Sequence, residues 1–131
     1  MIIYSQSLCK VWLNSLIIGS GYSGNGDGLN NPNLEHIIGH GPIPRGMWTI
    51  KKWTGEQTYI DNGGKSLGKQ VAILEPMGFN PHNRSGFRWH GDNSAMNFTA
   101  SDGCIVSARV LRDHLALEFV RSQQSTLEVI G

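Results

Sequence analysis

Glycine constrains this chain more than any other residue. It takes 17 of 131 positions and, with 5 prolines, separates short apolar runs, so that a helical period is repeatedly cut before it can bury a face. Only 16% of the residues are charged, a balance that suits strands joined by tight turns better than surface helices laced with ion pairs. The expected fold class is mainly β with one principal helix. Residues 2–5, 10–13 and 16–18 read as short strands, and the Gly- and Asn-rich stretch 19–32 as a long loop. Gly41-Pro42-Ile43-Pro44-Arg45-Gly46 is a stiff turn that launches a strand over 47–53. Segments 59–60 and 70–74 flank the turn Asp61-Asn62-Gly63-Gly64, with 65–69 lengthening the connection, and 86–90 reads as another strand. Ser107 is expected to cap a helix running to 120, in which Leu111, Leu115 and Phe119, spaced by four, make a buried stripe. A last strand is expected over 126–130. With no repeat and no linker, residues 1–131 read as a single domain around one apolar core.

The charge pattern narrows the partners. Eleven Lys plus Arg against ten Asp plus Glu leave a formal net charge of +1 with no block of like sign, so neither nucleic acid nor membrane insertion is expected. The N-terminal Met1-Ile2-Ile3-Tyr4-Ser5 lacks a basic start, and runs such as Leu16-Ile17-Ile18 are too short for a signal core or a membrane span. The expectation is a chain made in the cytoplasm without a signal peptide. Cys9 and Cys104 form at most one bridge, too few for a disulfide framework, which makes a working thiol the sharper reading.

Four motifs bear on chemistry. Gly19-Ser20-Gly21-Tyr22-Ser23-Gly24 matches G-x-G-x-x-G, but Gly26, Gly28 and Pro32 exclude the helix a dinucleotide site needs there, and a flexible loop is expected. His36 and His40 have the spacing of two zinc ligands on a helix, yet the acid of a zinc protease is missing and Gly39 and Pro42 weaken the helix. Neither a metal nor a cofactor is expected. Trp12, Trp48, Trp53 and Trp89 fall in strands, where packing explains them, and Trp89 should point away from its neighbour His90. The fourth motif is Arg88-Trp89-His90-Gly91-Asp92-Asn93, followed after a loop by Ser101-Asp102-Gly103-Cys104. A cysteine thiol is mostly protonated near neutral pH, so a nucleophilic cysteine requires an imidazole in reach, and a glycine beside it lets backbone amides approach a reacting carbonyl. A buried structural cysteine with a surface histidine is the plainer alternative.

His90-Gly91 followed by Ser101-Asp102-Gly103-Cys104 resembles the signature of L,D-transpeptidases, a histidine, a loop and Ser/Thr-His-Gly-Cys. Together with Asn30-Asn31-Pro32, Gly41-Pro42-Ile43-Pro44-Arg45-Gly46, Arg84-Ser85-Gly86-Phe87 and residues 100–106, it is similar to the type VI secretion L,D-transpeptidase effector family, formerly a domain of unknown function. The resemblance implies an L,D-transpeptidase-like β-sandwich or barrel acting on peptidoglycan tetrapeptide stems, as an L,D-carboxypeptidase, an L,D-transpeptidase or both. Cys104 would be the nucleophile and His90 the base. Amides near Gly103 and Cys104 would hold the oxyanion, and the Gly91 carbonyl would orient the imidazole. Two positions depart from the signature. Asp102 replaces its second histidine and is expected to turn aside to loop amides or an arginine, since a carboxylate aimed at the thiol would raise its pKa. Val106 replaces an arginine, and Arg88 or Arg84 is expected to meet a stem carboxylate instead. The resemblance also implies secretion machinery, an immunity protein and action in the periplasm of a target cell. The other classes open to the sequence are an inactive peptidoglycan-binding or phage structural module and a metal-dependent hydrolase built on His36 and His40.

Overall fold

The computed structural model describes residues 1–131. Eight short strands close into a barrel, each contributing alternate apolar side chains to the interior. In chain order these are β1 (Ile2–Ser5), β2 (Lys10–Leu13), β3 (Leu16–Ser23), β4 (Gly46–Trp53), β7 (Ala72–Pro76), β8 (Arg88–His90), β9 (Ile105–Ser107) and β10 (Thr126–Ile130). The barrel order is β1-β10-β4-β7-β8-β9-β3-β2, while β5 (Tyr59–Ile60) and β6 (Ser66–Gly68) form a separate hairpin. Ile2, Tyr4, Trp48, Ile50, Trp89, Ile105 and Leu127 are all essentially sealed from solvent. The helix α1 (Arg109–Ser122) adds Leu111 and Leu115 to this core, with Phe119 packed against it, as its four-residue spacing predicts.

Three local expectations need correction. The stretch expected to leave the sheet at residue 19 continues it, because β3 runs to Ser23 through Gly19 and Gly21. These glycines permit close approach: a Cβ at Gly19 would sit 2.9 Å from Leu111 Cδ2, and one at Gly21 2.7 Å from the Val106 carbonyl oxygen. Two short 3-10 turns, Gly26–Gly28 and Pro32–Leu34, occupy the loop that follows. Ser107 does not cap α1; it closes β9 and its Oγ accepts from Trp89 Nε1 at 2.8 Å, leaving Ala108 at the helix start with no side-chain cap. The connection over 65–69 carries β6, which returns on β5.

Most neighbouring strands are antiparallel, but β1 and β10 run parallel, and so do β8 and β9, with Trp89 beside Ile105 and His90 beside Val106. Parallel neighbours need a crossover of roughly a dozen residues or more. Residues 91–104 supply it, so the separation of the His-Gly and Gly-Cys motifs follows from the topology.

Candidate active site

The β8/β9 register determines which side chains share a face. Trp89 and Ile105 point into the barrel and are completely buried. Arg88 and His90 must then point outward, and stepping the register back one residue sets Cys104 beside Arg88 on that same outer face. His90, Arg88 and Cys104 line one cavity of about 270 Å³. Its opposite wall is the β5–β6 hairpin, through Tyr59, Asp61, Asn62, Gly63, Lys65 and Leu67.

Each half of the site is held by backbone. His90 is only 3% exposed, and its Nδ1 lies 2.7 Å from the Gly91 carbonyl oxygen. A carbonyl only accepts, so Nδ1 carries the proton and the neutral ring keeps its lone pair on Nε2. Burial lowers the pKa of His90, against the pull of the Gly91 carbonyl and with help from the nearby charges of Lys65 and Arg112. The imidazole therefore stands neutral at pH 7. Arg112 packs against the neighbouring Gly91, where a Cβ would come 2.9 Å from its Nη1. That guanidinium is fixed by the carbonyls of Ser107, Lys69 and Gln70.

Cys104 is half-buried, and burial pushes its thiol up to about 11, opposed by the Arg88 N–H and guanidinium and reinforced by Asp102. The resting pair is thus a neutral thiol and a neutral imidazole. Ser101 shapes the turn before the cysteine: completely buried, it accepts from the Gly24 and Gly103 amides at 2.9 and 3.1 Å and donates to the Cys104 carbonyl at 2.6 Å. Gly103 has φ +140°, and any Cβ there would strike the Arg84 guanidinium. The Gly103 N–H is directed to Ser101, whereas the Cys104 N–H, the amide of the cysteine itself, makes no hydrogen bond within the chain.

The remaining expected residues separate by how their polar groups are used. Asp102 is exposed and lines the cavity, and its Oδ1 accepts from the Asn25 side chain, Nδ2, at 3.3 Å. Arg88 lines the cavity wall, with Nε donating to Tyr59 Oη at 3.0 Å and Nη1 to the Phe87 carbonyl at 2.8 Å. Arg84 does not. It is buried, and its two terminal nitrogens donate to the carbonyls of Glu35, Gly41, Pro42 and Asp102, so it ties the 35–42 turn to the cysteine loop. His36 packs its ring near His82, and His40 Nδ1 lies 2.8 Å from Asn25 Oδ1, on turns rather than on one helix face. The hairpin wall was missed in the sequence. Its only signal was the Asp61-Asn62-Gly63-Gly64 turn, in which Asp61 Oδ1 accepts from the Gly63 and Lys65 amides at 2.9 and 2.8 Å.

The family model of the Tlde1 domain matches residues 18–130, which span β3 to β10 and include the entire cavity. The chain belongs to the Tlde1 domain family. Tlde1 domains are type VI secretion effectors with L,D-transpeptidase activity at the level of the family, which makes peptidoglycan their substrate. The Tlde1 match begins within β3, so the β1–β2 hairpin that completes this barrel lies outside it. A search of curated proteins found no match to the chain. No helix of this Tlde1 chain is long and apolar enough to cross a membrane.

Proposed function

We propose that this Tlde1 chain is a cysteine L,D-carboxypeptidase and L,D-transpeptidase in which residues 1–131 act as one catalytic unit. The observation that carries the reading is the Gly91 carbonyl bound to His90 Nδ1, which keeps the unprotonated Nε2 for a thiol in the same cavity. Cys104 Sγ bonds to the carbonyl carbon between diaminopimelate and D-alanine while its proton passes to Nε2. The Cys104 N–H, the amide without another acceptor, holds the developing oxyanion. As the tetrahedral species collapses, the C–N bond breaks, Nε2–H protonates the departing D-alanine amine and a thioester remains. Water or the amine of a D-amino acid then attacks that thioester, Nε2 takes the proton released, and the thiol is restored. Hydrolysis shortens the stem; the amine exchanges its last residue.

The neutral resting pair supports a mechanism in which proton transfer accompanies attack, rather than one that starts from a stored thiolate. The effector role supports a reaction in the periplasm of a target cell, with an immunity protein protecting the producer. The test is mass analysis of purified muropeptides after incubation with the protein, with and without added D-amino acids. Tripeptide stems or exchanged tetrapeptides, absent with Cys104→Ala, are the expected products; unchanged stems in both conditions would refute the proposal. In cells, the parent should lyse the host only when a signal sequence sends it to the periplasm, and Cys104→Ala in neither compartment.

A further inference from the structure

We infer that Lys65 and Arg88 form a carboxylate-binding pair that selects stems by the free terminal carboxylate of the residue to be released; this rests on the proposed reaction at Cys104. Both cations line the cavity that holds Cys104 and His90, from opposite walls, Lys65 on the hairpin and Arg88 on β8. Neither is ion-paired within the protein, although six such pairs occur elsewhere. Lys65 is exposed, and its positive charge acts on both Cys104 and His90. Arg88 has Nε and Nη1 engaged, which orients the guanidinium and leaves Nη2 without a partner.

Two carboxylates also line this cavity, and neither neutralises the pair. Asp61 turns Oδ1 back to the Gly63 and Lys65 amides, and Asp102 reaches Asn25. The substrate brings a carboxylate of its own to these two cations. The released residue lies one peptide unit beyond the attacked carbonyl, about 3.8 Å from Cα to Cα, so its terminal carboxylate stays close to the sulfur. By register Arg88 is the side chain next to Cys104. A guanidinium with one nitrogen open and an ammonium across the cavity suit a carboxylate, which accepts at both oxygens.

The test measures binding without turnover. In the Cys104→Ala protein, calorimetry would compare a disaccharide tetrapeptide with a free C-terminal carboxylate and the same compound as its C-terminal amide. The free acid should bind about tenfold tighter or more. Lys65→Gln should remove most of that preference without altering the affinity for the amide, and Lys65→Arg should restore it. Arg88→Gln should act in the same direction, with Tyr59→Phe controlling for the lost hairpin contact. Lys65 is exposed, so its substitution leaves the fold intact, which circular dichroism would check. Equal affinity for acid and amide, no binding of the acid at millimolar concentration, or equal weakening of both ligands by Lys65→Gln would each overturn the inference. Acid-selective binding by a parent protein that turns over no stem would sink the proposed reaction and leave the carboxylate pair standing.

Discussion

Trp89 and His90 are sequence neighbours with opposite environments, and the two faces of β8 and β9 that they represent follow different rules. The inward face, Trp89 and Ile105, is filled by volume. Trp89 packs by Trp53, with ring centroids 6.1 Å apart, and its single polar atom is satisfied by Ser107. The outward face is filled by hydrogen-bond direction: His90 is locked by its own following carbonyl and Cys104 is positioned by the Ser101 turn. The outer layer has its own small apolar cluster, Tyr22, Ala100 and Val106, on the β9 side of His90. Tyr22 also pins the crossover, donating to Asp92 Oδ1 at 2.7 Å and accepting from the Ala100 amide at 3.1 Å. A reactive site can thus be built one residue away from the core without weakening it.

Separating the two faces by substitution gives the largest effects. Cys104→Ala and His90→Ala should each lower kcat/KM by about a thousandfold or more, and the double variant by little beyond either, since one step needs both groups. Their melting temperatures should stay near that of the parent. Trp89→Ala should do the reverse at the level of stability, losing about 3–5 kcal/mol in denaturant unfolding through the cavity it leaves in the barrel. If Cys104→Ala unfolds as readily as Trp89→Ala, the division between the faces is wrong.

A smaller effect concerns pH. His90 acts as base only when neutral, and burial lowers its pKa beneath the ordinary 6.5. The acid limb of kcat/KM should therefore fall below pH 6.5. The same shift links to folding: the unfolded chain takes up this proton first, so the histidine's contribution to stability is complete above pH 6.5 and declines as pH drops toward the folded value. Denaturant midpoints measured between pH 7 and 5 should decline more in the parent than in His90→Gln. On the alkaline side the Cys104 thiol, pushed up to about 11, should show an alkylation rate still climbing past pH 9. A plateau near pH 7 would indicate a stored thiolate and contradict the neutral pair.

The strands at 2–5, 10–13 and 126–130 were legible because their limits are written in the local order of apolar and turn residues, and the structure returns the same limits. The pairing of His90 with Cys104 in one cavity was legible for another reason, since a motif spacing encodes a crossover length. Gly19 and Gly21 misled because a glycine that breaks a strand and one that lets another element approach look alike until Leu111 and Val106 are placed. The structural tie made by Arg84 was not legible because its partners are carbonyls, which every residue carries and no sequence pattern marks. The hairpin was legible by half: 59–60 and its turn stand where they were read, whereas β6 is too brief for alternation to register, and nothing in the sequence places the pair against β8.

The smallest effect tests how firmly the outer face is set against the charge at residue 102. Asp102 raises the Cys104 thiol, but it ranks behind burial and behind both contributions of Arg88, and it is exposed, so solvent and salt screen it. Asp102→Asn keeps an amide oxygen able to accept from Asn25 Nδ2, which the carboxylate now meets at 3.3 Å, so the turn should hold. Removing the negative charge lowers the energy of the thiolate and should move the Cys104 alkylation profile to lower pH by less than about one unit. Since attack in the neutral pair draws its proton to His90, turnover should change by less than about threefold at pH 7. The measurement is iodoacetamide labelling followed by intact mass across pH 7 to 10, at low and high salt. Cys9→Ser serves as the background, because Cys9 lies on a separate groove with the outer loop and would otherwise contribute label. A shift that vanishes in high salt would agree with a screened surface charge. A shift to higher pH, or loss of turnover comparable with His90→Ala, would mean that Asp102 reaches the reacting atoms and that the outer face is organised differently.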